Sequence, residues 1–312
     1  MTQERKDPQE HRAAVAAVLG QVAQLKAGFG CTLPIQPSRL VKARGFDWDY
    51  EIQIALPGTY ASNPKKTYPV LWLMDGTYSF HLTVGLLNYL SWNVNVSIPE
   101  MIVVAVGCPS AAGPVEFTYR RNIDFAPPGK TLFYDGPGGD LLRKRLGAAT
   151  KGEQKGDALL AFLVDELRPQ LAREYRMTDD HTLFGHSGGG MFASYAMFAR
   201  PGSFRRYIIA SPFSNAADRL AFRLEEEYAK NNADMKADIF FGAGEKEIGD
   251  LDMASFGIVS APVLMAETLL LRQYPSLKVT TRIFAGKDHF TALPDLILEG
   301  LQAVWSREAR SV

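Results

Sequence analysis

Thr182-Leu183-Phe184-Gly185-His186-Ser187-Gly188-Gly189-Gly190-Met191 is the stretch on which the fold turns. Its opening residues suit a short buried strand, and Met191–Arg200 continues as an apolar helix. Between them a serine stands two residues from a glycine on either side, the spacing of a sharp strand–turn–helix. A side chain at either glycine would strike neighbouring backbone, so the turn can tighten only without one. The serine is thereby pushed out at the helix N-terminus, where free backbone N–H groups can meet a developing oxyanion. That is how a chain presents a nucleophile.

Working outward, strands and helices alternate. Arg39–Leu56 reads as two strands turning near Gly45; Asp49–Ile54 alternates polar with apolar, as an antiparallel strand wet on one face should. Pro69–Met74 is continuously apolar, and Met101–Val106, Tyr207–Ala210, Ile239–Phe241 and Val279–Phe284 are further short runs. Continuous apolar strands suit a parallel sheet covered on both faces. Asp157–Tyr175 carries a helical stripe of Leu160, Leu163, Leu167, Leu171 and Tyr175, with Pro169 expected to kink it. Ala216–Lys230, Val263–Tyr274 and Pro294–Arg307 follow. The pattern predicts an α/β fold, a mostly parallel central sheet with antiparallel N-terminal strands and helices on both faces. Residues 1–30 are expected to form an amphipathic leading helix, and residues 31–312 one domain. Residues 109–156 are rich in Gly and Pro and show no sustained period, so they are read as a cap-like insertion.

The 312 residues carry 34 Lys+Arg against 34 Asp+Glu. Zero formal charge argues against nucleic acid as the partner. No apolar run is expected to approach the roughly 18 residues that cross a membrane. Acidic and polar residues interrupt the N-terminal segment, so no export signal is read there and a cytoplasmic location is expected. Cys31 and Cys108 leave one bridge open. No Cys/His cluster suggests a metal, and Gly242-Ala243-Gly244 lacks the third glycine of a dinucleotide loop, so no cofactor is expected. The partner left is a small molecule; a homo-oligomer stays open.

A serine needs a base to take its proton. Of His11, His81, His181, His186 and His289, the first is in the leading helix, the second comes early in the chain and the third is a strand length from the cleft. His186 adjoins Ser187 and should point away from its hydroxyl. His289 follows a late strand in the loop Gly286–Phe290, and the order nucleophile, acid, base makes it the candidate. The acid should come between them, just past a strand end. Glu245 and Glu247 both qualify after Ile239–Phe241, with Asp250 and Asp252 further out. The oxyanion donors are expected at Gly188 N–H and at Thr77 or Gly76 N–H, in the loop after Pro69–Met74, where Asp75 braces the backbone.

Tyr68-Pro69-Val70-Leu71-Trp72-Leu73-Met74-Asp75-Gly76, Arg121-Asn122-Ile123-Asp124-Phe125-Ala126-Pro127, Phe184–Ala193, Arg200-Pro201 and Ala210-Ser211-Pro212 together resemble the putative-esterase branch of the α/β-hydrolases, over about residues 36–305. The resemblance implies the α/β-hydrolase fold and a cofactor-free serine esterase, nearest to siderophore esterases and related to S-formylglutathione hydrolase and feruloyl esterases. Gly244-Glu245-Lys246-Glu247 resembles that branch's G-E-x-E and favours Glu247 as the acid, with Glu245 second. If the segment is extended, both glutamates point the same way and reach decides between them. Phe213-Ser214-Asn215 departs from the tryptophan that often follows this branch's serine–proline. Tyr78, His186, Tyr119, Arg120 and Arg121, with Phe117, Phe125 and Phe133, are the candidate pocket residues. The function expected is cleavage of a carboxylic ester through an acyl-Ser187 intermediate. The alternatives are an acyltransferase or thioesterase using the same residues, or a non-catalytic binding member of the fold.

Overall fold

The computed structural model describes residues 33–91, 98–126, 140, 144 and 153–305. The expected leading helix, Cys31 and Phe133 lie outside them. Eight strands form one sheet: β1 (Arg39–Lys42), β2 (Asp49–Ala55), β3 (Tyr68–Met74), β4 (Ile102–Gly107), β5 (Met177–His186), β6 (Arg206–Ala210), β7 (Asp238–Gly244) and β8 (Lys278–Phe284). Their order is β1-β2-β4-β3-β5-β6-β7-β8. β2 runs antiparallel to both β1 and β4, and every other neighbour is parallel. This is the α/β-hydrolase arrangement, with its antiparallel strands at the N-terminal edge.

The strands are apolar throughout because each face of the sheet has its own core. In β3, Val70, Trp72 and Met74 enter one cluster and Leu71 and Leu73 the other. Helix α1 (Gly76–Ser91) covers the second face with Phe80, Val84 and Leu87. The helices α2 (Gly113–Asp124), α3 (Gly156–Ala161), α4 (Arg168–Glu174), α5 (Gly188–Ala199), α6 (Ala216–Asn231), α7 (Leu251–Ser255), α8 (Ser260–Leu271) and α9 (Leu293–Trp305) complete the described set. α9 joins α1 on the second face through Leu296, Ile297 and Leu301. The stripe of Asp157–Tyr175 is there, on helical backbone from Gly156 to Glu174. Phe162–Leu167 widens into a π-helical turn just ahead of Pro169, which takes a first-turn position in α4 where its missing N–H costs nothing.

Three expectations change. Residues 113–124, read as aperiodic, are helical; the buried residues of that helix are Asn122, Ile123 and Asp124, so two polar side chains stand where periodicity looks for apolar ones. β5 begins at Met177, five residues before its apolar run, through the polar Thr178-Asp179-Asp180. Leu251–Leu271 does have the length and mean hydropathy of a membrane-crossing stretch. It is not one continuous helix: α7 and α8 are separated at residues 256–259, where Gly257 takes φ 64°. Met265, Ala266 and Leu269 of α8 pack into the core against the sheet.

Candidate active site

Ser187 sits between β5 and α5 at φ 62° and ψ −122°. Only a few per cent of non-glycine residues adopt positive φ, at a cost of about 1–3 kcal/mol. Two contacts hold it there: its N–H donates to Ala210 O at 2.9 Å, and its carbonyl receives Met191 N–H at 3.1 Å. A Cβ on Gly185 would lie 2.0 Å from Gly189 O, which is why the turn closes only over glycine. The N–H of Gly188 heads α5, where no intrahelical acceptor exists.

His289 and Glu247 arrive from the ends of β8 and β7. Glu247 is 1% exposed, yet its carboxylate is satisfied. Oε1 accepts His289 Nδ1–H at 2.5 Å, and Oε2 accepts Ser211 Oγ–H at 2.9 Å and Gly244 N–H at 2.6 Å. A buried carboxylate with three donors is held in one orientation. The segment after β7 is not extended, so the premise that reach decides between the two glutamates falls. Glu245–Ile248 forms one 3₁₀ turn, which swings the second glutamate back over the strand end. Glu245 leaves in another direction and accepts Gly286 N–H at 2.7 Å. A Cβ at Gly244 would come 2.5 Å from Lys287 O, so glycine is what lets the β8 loop approach. The Lys246 N–H then donates to Lys287 O at 2.9 Å. Asp250 caps α7 and faces away from this cluster.

Two rings enclose His289. Phe213, whose N–H donates to Ser187 O at 3.3 Å, lies nearly parallel to it with centroids 6.2 Å apart. His186 lies on another side, with centroids 4.5 Å apart. His186 does not line open space. Its Nε2 is 3.0 Å from His289 O, so that nitrogen carries the proton and donates it. Burial, then the neighbouring His289 and Arg121, holds the His186 pKa well below the usual imidazole range. A neutral ring with its single N–H on that carbonyl braces the loop bearing His289. His181 is likewise structural: burial lowers its pKa to about 3, and it accepts Trp72 Nε1–H at 3.2 Å.

The β3–α1 turn is where the sequence places the second oxyanion donor. Asp75 takes φ 56°, and Gly76 and Thr77 head α1 with N–H groups beyond the reach of intrahelical acceptors. Thr77 Oγ1 donates to Cys108 O at 2.8 Å. Asp75 receives the Arg121 guanidinium in a bidentate pair at 2.7 and 2.9 Å and the Tyr78 hydroxyl at 2.9 Å. Burial disfavours the charge on Arg121, and Asp75 together with Tyr78 outweighs it and raises its pKa. Arg121 is therefore a strut for the β3–α1 turn. Arg120 is also committed: it donates to Glu116 Oε1 and Asp49 O and lies over Trp48, against which Tyr119 packs edge-on. These three face the N-terminal hairpin and the turn and offer no free cation to a pocket. Phe125 is buried against Phe192. Tyr78 and Phe117 do line a groove, with Thr77, Cys108, Pro109 and Pro114. Cys108 is a free thiol whose pKa burial raises.

Sequence reasoning left Ser211 without a role. It too has positive φ, 41°, at the end of β6, and it orients Glu247. A strand-end serine beside a proline was its only signal. Among the described residues no group of three or more His, Cys, Asp and Glu is placed to hold a metal ion.

The family model "Putative esterase" matches residues 118–280. The chain is 23% identical over 278 residues to the ferri-bacillibactin esterase BesA of Bacillus subtilis, spanning 87% of this chain and 90% of that one. Against the siderophore enterobactin esterase of Emericella nidulans it is 31% identical over 173 residues, 53% of this chain and 54% of that. Among solved structures, the siderophore hydrolase EstA of Aspergillus nidulans superposes with a TM-score of 0.71 at 21% identity, over 88% of this chain and 97% of that. The BES protein of Bacillus cereus gives 0.69 at 22%, over 86% and 94%. A strained strand–turn–helix serine, a buried carboxylate on a histidine and a matching family model over half the chain converge: this chain belongs to the putative esterase family of the α/β-hydrolase superfamily and is a carboxylesterase-type hydrolase.

Proposed function

We propose that the protein hydrolyses carboxylic esters through an acyl-Ser187 intermediate, with siderophore esters as the substrate class to try first. The observation that carries this is the Glu247–His289 pair. A carboxylate held by two further donors fixes the proton on His289 Nδ1, leaving Nε2 bare as a base on the rim where Ser187 stands. In this reading Ser187 Oγ attacks the ester carbonyl carbon as its proton passes to His289 Nε2. The carbonyl oxygen becomes an oxyanion met by Gly188 N–H and by Thr77 or Gly76 N–H. Collapse breaks the bond to the alkoxy oxygen, which leaves with the proton from His289. Water then attacks the acyl-enzyme, giving its proton to His289, and the second collapse releases the acid and restores Ser187.

The substrate suggestion rests on the relatives, one named a ferri-bacillibactin esterase and another a siderophore enterobactin esterase. The test is a panel of p-nitrophenyl esters, aryl esters and catecholate trilactones, free and ferric, against the protein and its Ser187→Ala form. Turnover that Ser187→Ala abolishes, with fluorophosphonate labelling confined to the parent, supports the reading. A protein that neither turns over an ester nor takes the label would instead be a binding member of the fold.

A further inference from the structure

The sheet order places the two halves of the chemistry on opposite flanks of Ser187. β5, which carries it, has β6, β7 and β8 on one side and β3, β4 and β2 on the other. Glu247 and His289 come from the ends of β7 and β8; Gly76 and Thr77 follow β3, and Cys108–Phe117 follows β4. The departing alkoxy oxygen must take its proton from His289, so the alcohol part of an ester faces the β7–β8 flank. The two remaining substituents on the tetrahedral carbon, the oxyanion and the acyl group, lie away from that flank; the oxyanion meets the Gly76–Thr77 turn, and Thr77 also lines a groove on the β3–β4 flank beside it.

On that flank lies a groove of about 270 Å³ lined by Thr77, Tyr78, Cys108, Pro109, Ser110, Gly113, Pro114 and Phe117. Resting on the hydrolytic reading of Ser187, we propose that this groove receives the acyl portion of the ester and selects uncharged apolar or aryl acyl groups. Its size suits the role: an apolar cavity of about 150 Å³ holds benzene, so this groove has room for a substituted ring or a medium alkyl chain. Its chemistry excludes charge. The Thr77 hydroxyl is turned to Cys108 O and the Tyr78 hydroxyl to Asp75. Among the described residues, the two arginines of α2 beside it are spent, Arg121 on Asp75 and Arg120 on Glu116 and Asp49 O. The wall is the face or edge of Tyr78, Phe117 and two prolines, with the two aromatic rings meeting edge-on at 6.1 Å. An acyl-terminal carboxylate entering here would lose water and gain no partner. The alcohol flank differs: Phe290 and Ile248 stand there 79% and 60% exposed.

The experiment uses p-nitrophenyl esters that share one leaving group and vary in acyl group: acetate, butyrate, hexanoate, benzoate and the carboxylate-terminated glutarate. We expect kcat/KM to rise tenfold or more from acetate to hexanoate or benzoate, and glutarate to fall at least tenfold below butyrate. Phe117→Ala should compress the benzoate-to-acetate ratio. Ser110→Lys, a change at an exposed position on the groove's mouth, should selectively raise glutarate turnover. A second series, acetates of varied alcohols, should keep its rank order in Phe117→Ala. Fluorophosphonate labelling of Ser187 with acyl-independent rates overturns the groove assignment while leaving hydrolysis standing. The assignment also falls if Phe117→Ala reorders the alcohols instead of the acyl groups. Absence of both labelling and turnover overturns both.

Discussion

If Ser187, His289 and Glu247 act on one proton, as proposed, their effects should not add. In Ser187→Ala and in His289→Ala, kcat should drop by several orders of magnitude, and the double variant should be scarcely slower than either, because removing one member already idles the other. Additive losses measured on a p-nitrophenyl ester would contradict a shared mechanism. The acid can be tested separately. Glu247→Gln keeps the shape but not the charge and should lower kcat by about 10³–10⁴-fold, as loss of a triad carboxylate does. Glu245→Gln, which touches only Gly286 N–H, should change kcat by less than a few-fold. Reversed severities would transfer the role to Glu245.

At the scale of elements, three non-glycine residues with positive φ mark the ends of three adjacent strands: Asp75 after β3, Ser187 after β5 and Ser211 after β6. Each is held by hydrogen bonds from another segment, so the strain is stored locally and balanced by tertiary contacts. Ser211 binds the site at two points, its N–H on Gly242 O at 2.7 Å and its hydroxyl on Glu247. A hydrogen bond to a charged group contributes about 1.5–3 kcal/mol. Ser211→Ala should therefore lower kcat by roughly tenfold to a hundredfold, with KM changing much less, because the bond orients the acid and does not touch substrate. An equal rise in KM with unchanged kcat would instead make Ser211 a substrate contact.

Across the whole molecule, Asp124 ties α2 to the N-terminal hairpin, accepting the Tyr50 hydroxyl at 2.7 Å. Burial raises its carboxyl from 3.8 to about 8, against the opposing effects of the Tyr50 hydrogen bond and Arg120. The folded state thus keeps a proton that the unfolded chain gives up near pH 4. Its stabilising contribution is complete below about pH 4 and is lost as pH rises to about 8, because each step in that window favours the ionised, unfolded chain. Asp124→Asn, which still accepts from Tyr50, should match the parent in urea unfolding near pH 5 or fall slightly below it, and gain on it steadily toward pH 8. Parallel stability curves for the two proteins would show that Asp124 does not hold the proton.

What the chain determines on its own is what short-range sterics and periodicity encode. The Gly185–Gly189 spacing demands a tight turn whatever surrounds it, and two-faced apolar strands such as β3 declare a covered sheet. With five histidines in the chain, elimination and the order nucleophile, acid, base already single out His289. Tertiary structure decided everything that depends on which distant segments meet. Arg120 and Arg121 read as pocket residues because Asp49 O and Asp75, which they bind, lie 71 and 46 residues away. Helix α2 escaped notice because two of its three buried positions are polar, and the partner of Asp124, Tyr50, comes from the distant N-terminal hairpin. The choice between Glu245 and Glu247 hinged on a 3₁₀ turn closed over Gly244 by a carboxylate and by the approach of Lys287. Side chains two residues apart align on a strand and diverge on a 3₁₀ turn. Local sequence permits both conformations, and the β8 loop selects one.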